Sequence, residues 1–248
     1  MTGEMLPNKL KDDAIVEAIC QVRFVTSEVP EVVVGRLSDD PSWKDFKRER
    51  LSVSDIPAPI RQADENLRFE PTLQLRSNER SRLVRIGDSV ISYHVIGEYC
   101  GWPTLKKELE HVFSALFDKL PDVRIKRIGF RYINSLTETR HFIQGIDSLN
   151  VEISLGGQPA AGPVNINVFQ NNSDKHITLI RIASPEFMKG TQDPELKAVI
   201  DIDVYTPPEF STDSLAELLE WVEDAHTYEK DAFFPLLPQD VIDKLKEE

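Results

Sequence analysis

At residues 21–27 the chain reads QVRFVTS, and at residues 129–135 it reads GFRYINS. Aligned at an offset of 108, Val22 falls over Phe130, Arg23 over Arg131, Phe24 over Tyr132, Val25 over Ile133, Thr26 over Asn134 and Ser27 over Ser135. Both stretches sit in alternating runs. From Ala14 to Thr26 (AIVEAICQVRFVT), Val16, Ala18, Cys20, Val22 and Phe24 share one side, Glu17, Gln21 and Arg23 the other, and Ile19 is an apolar exception. A period of two predicts a half-buried strand, and RIKRIGFRYINSL predicts a second of the same kind.

The echo extends outward from these strands. Ser89 to Val95 (SVISYHV) lies over Ala198 to Val204 (AVIDIDV) at an offset of 109, and Leu105, Leu109 and Val112 lie over Leu215, Leu219 and Val222 at 110. Three matches in one order, each in the same kind of element, predict a duplicated unit of strand, helix, several antiparallel strands and helix. The expected fold is α+β: one curved antiparallel sheet with the long helices on one face, TATA-binding-protein-like or helix-grip-like. The repeat halves span about 14–120 and 121–230, a last helix occupies 238–248, and the whole of 1–248 forms one pseudo-symmetric domain.

Other segments are placed by their own signals. Pro30 to Arg50 is poorly periodic, with PSWKDFKRER expected as a short helix from about Ser42, and SVSDIPAPIRQADEN is a proline-punctuated surface loop. Strands are expected at Leu67–Arg76, Arg82–Ile86 and Ser89–Ile96, the last two joined by a turn at Gly87 and Asp88. GWPTLKKELEHVFSALFDKL carries Pro103 in its first turn and apolar residues at helical spacing, which predicts a helix. A short helix is expected around ETRHFIQGIDS, and strands near Val151–Leu155, Val164–Gln170, His176–Ala183 and Glu195–Tyr205, with QNNSD as a hairpin turn. Asp213–His226 is an amphipathic helix capped by Ser211 or Thr212.

Composition sets bounds. A hydrophobic fraction of 40% and a charged fraction of 29% over 248 residues are those of a globular protein. No apolar run is long enough to span a bilayer, and MTGEMLPNKLKDD lacks the features of a signal peptide, so the expected location is cytoplasmic with no membrane association. Cys20 and Cys100 stand in apolar or aromatic contexts and are expected as thiols rather than as a disulfide or zinc site. A net charge of −13 opposes binding to a phosphate backbone, which makes nucleic acid an unfavoured partner. Much of the acidic excess lies beyond Glu195, either as solvated helix faces or as a surface for a basic protein partner.

With helices on one face, the alternating polar residues line the other. Gln21, Arg23, Arg127, Arg131, Arg76, His94, Asn165 and Asn167 are the candidate ligand-binding residues, since arginine pairs carboxylates and phosphates bidentately. The plain alternative is a solvated sheet face. Asp201 and Asp203, two residues apart on one strand side, are the candidate metal pair and would take Mg²⁺ if the ligand is a nucleotide or another phosphorylated molecule; no other cofactor is expected. No catalytic motif is present: the five histidines lack HExxH spacing, there is no GxSxG or Walker motif, and GGQPAAG lacks the lysine of a phosphate cradle.

AIVEAICQVRF, IGDSVISYHVIGEYCGWPTLKKEL and RIGFRYINSL together resemble an uncharacterised, sporadically distributed bacterial and archaeal family of about 250 residues, marked by an N-terminal IVEA…RF strand and a central RIGxRYIN strand. The similarity runs from about Ala14 to the segment at His226–Phe233. A sporadic distribution implies a setting in antiviral defence or toxin–antitoxin loci and implies no catalytic residue. The leading expectation is a non-enzymatic binding or regulatory protein with a protein partner; the other is an enzyme or sensor for a phosphorylated small molecule with Mg²⁺ on the polar face.

Overall fold

In the computed structural model, which describes residues 10–79, 81–159, 162–188 and 193–246, the alternation of the first strand holds from Glu17 to Phe24, whereas Val16, expected on the buried side, is exposed where the pairing shifts register between Ile15 and Glu17. Ala18, Cys20, Val22 and Phe24 are buried, and Glu17, Ile19, Gln21 and Arg23 face the other way, half-buried. In chain order the first elements are β1 (Ile15–Val25), α1 (Pro30–Ser38), β2 (Lys47–Arg50), α2 (Ala58–Ala63), β3 (Pro71–Arg76), β4 (Arg82–Gly87), β5 (Val90–Ile96) and α3 (Trp102–Lys119). There follow β6 (Arg124–Thr137), α4 (Glu138–His141), β7 (Ser154–Leu155), β8 (Gln158–Pro159), β9 (Asn165–Ser173), β10 (His176–Ala183), β11 (Leu196–Tyr205), α5 (Leu215–Phe233) and α6 (Gln239–Leu245).

The protein is α+β, with one large antiparallel sheet of nine strands and helices on one side. The strand order is β2-β3-β4-β5-β1-β6-β11-β10-β9, and β7 and β8 pair with each other in a separate hairpin. β1 and β6, the strands that carry the echoed sequence, are neighbours in the middle of the sheet. Their register pairs Ile19 with Arg131, Gln21 with Gly129 and Arg23 with Arg127. Side chains of one parity, including Val22, Phe24, Phe130 and Tyr132, therefore enter the core. Arg23 and Arg131 stand on the opposite face.

Helix α3 begins after Gly101, whose φ of 81° favours glycine, with Pro103 in the first turn. It buries Leu105, Leu109, Val112, Phe113 and Leu116 against the sheet. Arg82 of β4 ties it down, its Nε donating to both carboxylate oxygens of Glu108 (3.1 and 3.0 Å). Helix α5 is capped by Ser214, whose hydroxyl accepts from the Glu217 N–H (3.3 Å), the S-x-x-E pattern of a capping box. Thr212, expected as a cap, instead forms a backbone bridge with Ile125 and donates Oγ1–H to Glu217 Oε2 (2.7 Å). His226 of α5 stacks on Trp102 of α3 at 4.0 Å, and burial pushes its pKa down to about 4. Glu229, one turn further, is wholly buried and accepts the Tyr132 N–H through Oε1 (3.2 Å).

Several local expectations are corrected. The KRER sequence, expected as helix, is the edge strand β2; only Pro41–Trp43 before it makes a 3₁₀ turn, with the Asp40 carboxylate accepting from the Ser42 N–H (3.0 Å). Pro30 opens a regular helix where no periodicity was evident. The strand expected from Leu67 starts at Pro71, because Asp64 Oδ1 accepts from the Asn66 N–H (2.7 Å) and turns the chain. The strand near Val151 shrinks to the two residues of β7. Ala160 and Ala161 of the GGQPAAG loop and residues 247–248 of the expected last helix lie outside the described residues. Cys20 is a buried free thiol whose pKa burial pushes up, and Cys100 is half-buried and also free. Among the described residues no helix is long and apolar enough to cross a membrane.

Candidate functional site

The face of the sheet opposite α3 and α5 is arranged in rows set by strand register. One row reads Arg85, Ser92, Gln21, Gly129, Tyr205 across β4, β5, β1, β6 and β11. The next reads Leu83, His94, Ile19, Arg131, Asp203. Ser92 and His94 alternate on β5 and are almost wholly buried, 3% and 4% exposed.

These two side chains and Glu17 of β1 form a continuous hydrogen-bonded line. Ser92 Oγ lies 2.9 Å from His94 Nε2, and His94 Nδ1 lies 2.9 Å from Glu17 Oε1. Burial pushes the imidazole pKa below its ordinary value, against the opposing pull of the Glu17 hydrogen bond. The hydrogen bond from His94 in turn lowers the Glu17 pKa. At neutral pH the line therefore holds an ionised carboxylate, a neutral imidazole donating Nδ1–H to it, and an Nε2 that accepts from the Ser92 hydroxyl.

Segment 64–71 forms the upper wall. Gly87 permits its close approach: a Cβ there would lie 2.7 Å from the Glu70 carbonyl oxygen and 2.8 Å from Val90 Cγ1. Phe69 is thereby set over the Arg23 guanidinium at 4.5 Å, a cation–π contact. Between floor and wall lies a cleft of about 370 Å³, with Gln21, Arg23, Arg85, Ser92 and His94 below and Glu65, Asn66, Phe69 and Glu70 above. Arg23 donates Nε–H to Gln21 Oε1 (3.3 Å) and Arg85 donates Nε–H to Gln74 Oε1 (3.0 Å). Gln74 is itself fixed by its bond to Glu49 (3.2 Å). Both arginines are thus oriented through Nε, and among the described residues their Nη groups have no hydrogen-bond acceptor in the protein.

A second charged cluster adjoins the cleft at the sheet centre. Arg131 holds Asp201 bidentately, Nε to Oδ1 at 2.6 Å and Nη2 to Oδ2 at 2.7 Å, and Arg181 reaches Oδ2 at 3.3 Å. The bond to Asp201 raises the Arg131 pKa. Burial raises that of Asp203, against Arg127 and Arg131. Arg127 lies across Gly129 and over the Tyr205 ring at 5.0 Å. A wider depression of about 1140 Å³ lies beside the β7–β8 hairpin, but its Lys197 is paired with Glu138 (3.5 Å) and the chemistry converges in the smaller cleft.

Of the sequence-predicted residues, Gln21, Arg23 and His94 meet in the cleft, and Arg127, Arg131, Asp201 and Asp203 in the adjoining cluster. Asn165 and Asn167 are exposed on edge strand β9, and Arg76 on β3 lies outside the cleft lining. Asp201, expected as a metal ligand with Asp203, has both oxygens occupied by arginine; among the described residues no group of three or more His, Cys, Asp and Glu side chains is placed to hold a metal. Glu17, Ser92, Arg85 and Phe69 complete the site and are absent from the predicted set. The signal for two of them was available: Ser92 and His94 form an S-x-H pair on one strand side, and Glu17 lies on the polar side of β1. No protein-family model matches the chain, and no curated protein matches it in sequence.

Proposed function

We propose that the protein is a binding protein that takes a small molecule with a carboxylate or phosphate group into the cleft on the open sheet face. The observation that carries this reading is the pair of arginines, Arg23 and Arg85, each fixed through Nε by a glutamine with its Nη groups left for a ligand. Such preorganisation lowers the ordering cost of binding, and the planar guanidinium suits either anion. Phe69 gives the ligand an apolar wall. Thermal-shift titration with nucleotides, sugar phosphates and dicarboxylates, with and without Mg²⁺, tests it. A stabilising shift that Arg23→Gln and Arg85→Gln each abolish is expected; a flat response across the panel overturns it.

A second reading is favoured by the exposed edge of the sheet. β9 presents Val168 and Phe169 at 45% and 65% exposure beside unpaired backbone groups, a geometry suited to a partner that adds a strand. A protein partner within a defence or toxin–antitoxin-like module is the setting that the sequence resemblance suggests for it. Phe169→Asp abolishes a stoichiometric complex recovered from the native host on this reading.

We also infer that the chain is an internal duplication of the TATA-binding-protein-like or helix-grip-like kind. The strand order supports it: β5 lies beside β1 as β11 lies beside β6, and α3 follows β5 as α5 follows β11. On this inference Ser92 and His94 correspond to Asp201 and Asp203.

A further inference from the structure

We propose that Ser92, His94 and Glu17 are a nucleophile, its base and the group that orients the base, and that the cleft hydrolyses a small carboxylic ester bearing a second, anionic group held by Arg23 and Arg85. The inference rests on the reading of the cleft as an anion-binding site.

The geometry has the order that nucleophilic catalysis requires. The imidazole stands between hydroxyl and carboxylate, with both contacts at 2.9 Å, so one proton position, Nδ1–H toward Glu17, leaves Nε2 free to take the serine proton. A neutral imidazole and an ionised Glu17 are the states that the surroundings favour. Ser92 and His94 are 3% and 4% exposed, and both lie in the floor of the cleft.

Ser92 also has polar neighbours suited to its chemistry. Its cross-strand partners are Arg85 on β4 and Gln21 on β1. β5 is paired on both sides, so its backbone N–H groups serve the sheet and the donors to a developing oxyanion must be side chains. Gln21 accepts from Arg23 through Oε1, which leaves its amide N–H groups without a protein acceptor among the described residues. Gln21 is the oxyanion donor, which keeps Arg85 with Arg23 for the anionic group.

In the first step Ser92 Oγ bonds to the ester carbonyl carbon as its proton passes to His94 Nε2. The C–O bond to the alcohol then breaks, and the alcohol leaves with that proton. Water attacks the acyl-serine, giving a proton to Nε2, which returns it to Ser92 Oγ as the acid departs. The net reaction is ester plus water to acid plus alcohol, and no other reactant is needed. Glu17 is a positioning residue, which fixes the tautomer and stabilises the transient imidazolium.

The test uses the whole protein, diisopropyl fluorophosphate as a small serine-directed probe, and the mono(4-nitrophenyl) ester of succinic acid as substrate. Peptide mapping of the wild-type protein is expected to find the phosphoryl adduct on Ser92, with adduct formation and ester hydrolysis falling about 10²–10⁴-fold in His94→Gln. Glu17→Gln is expected to move the acid limb of the pH–rate profile to lower pH, because the imidazole loses its anionic partner; a purely structural role would leave that limb in place. Unmodified Ser92 in the folded wild-type protein, or equal rates in wild type and His94→Gln, overturns the proposal. Succinate titration separates this failure from failure of the binding reading. A thermal shift shared by wild type and Ser92→Ala without any reaction leaves an anion site and removes the hydrolase, whereas adduct on Ser92 without any anion shift retains the relay and removes the arginine role.

Discussion

Glu229 lies on α5 beneath the sheet, 1% exposed, with Oε1 accepting the Tyr132 N–H and Oε2 without a hydrogen-bond partner among the described residues. Burial, reinforced by the negative charge of Asp203, raises its pKa well above the ordinary carboxyl value of 4.5. The folded protein thus keeps a proton that the unfolded chain loses above pH 4.5. For a carboxyl shifted in this direction stability falls as pH rises through the window, by about 1.4 kcal/mol for each pH unit in which the two states differ by one proton. Glu229→Gln preserves the shape and the acceptor for Tyr132 while removing the titration. Between pH 5 and pH 7 the variant should therefore gain steadily on the wild type, with a slope of at most about 1.4 kcal/mol per pH unit. The exchange of O–H for NH₂ at Oε2 adds an offset of about 1–3 kcal/mol, but that offset is the same at each pH and leaves the slope untouched. Urea unfolding of both proteins at pH 5, 6 and 7 reads the difference directly, and other titrating groups cancel in it. A difference constant across the three pH values would refute the reasoning, because it would mean that the buried carboxyl is ionised in the fold.

His226 has the opposite sign. The unfolded chain takes up a proton near pH 6.5 and the folded protein only near 4, so stability is lost as pH falls between them, on the order of 3 kcal/mol. His226→Phe is expected to flatten that acid limb in thermal melts at pH 4.5 and 7, and an unchanged limb would count against the assignment. Asp88 and Arg61 form a buried bidentate pair, with side chains 3% and 10% exposed and Nη2 at 2.7 and 2.9 Å from the carboxylate oxygens. Asp88→Asn is expected to cost about 3–5 kcal/mol by chemical denaturation, with most of it recovered on adding Arg61→Met; no recovery would show that the loss comes from the turn rather than from the stranded charge. Gly87→Ala drives a methyl into the Glu70 carbonyl and should cost about 1–3 kcal/mol while weakening the anion response of the cleft, and a variant of full stability and unchanged response would remove Glu70 from the wall.

The parts of the fold legible in the sequence are those where burial on one side imposes a period. Ala18 to Phe24 on β1 and Leu105 to Leu116 on α3 read correctly because the core demands apolar residues every second or every third and fourth position. KRER did not, since an edge strand exposed along its length has no face to report. Thr212 and Ser214 are equally good caps by residue type, and only the backbone bridge from Thr212 to Ile125 decides between them. For the site, parity on β1 placed Gln21 and Arg23 correctly on the open face. Glu17 was visible as a polar residue on that face, but its partner His94 is 77 residues away in sequence, and their contact depends on the β1–β5 register. Arg85 joins through the β4–β5 register in the same way. Phe69 was assigned to a strand, and it becomes a wall residue because the turn at Asp64 delays that strand to Pro71.

The two sides of the sheet centre differ in a way that bears on where chemistry can occur. On the β11 side the central ion pair is answered from within the protein, Asp201 by Arg131 and Arg181, while Asp203 beside it is half-buried without a hydrogen-bond donor among the described residues. On the β5 side the corresponding positions of the proposed duplication hold Ser92 and His94, and the charges beside them, Arg23 and Arg85, are fixed at one nitrogen and open at the others. The connection from β1 to β3 is also the longer excursion on that side, and its last stretch, segment 64–71, walls the cleft before β3 begins. A satisfied ion-pair cluster resists a ligand, because binding would have to break bidentate bonds already made; an oriented but unsatisfied pair of guanidinium groups beside a serine hydroxyl does not. Arg131 nevertheless couples the two sides, since its charge helps lower the pKa of Glu17. Arg131→Met should therefore leave the cleft intact and raise the Glu17 pKa, a change readable by NMR titration of that carboxyl, whereas an unshifted titration would show that the two clusters act independently.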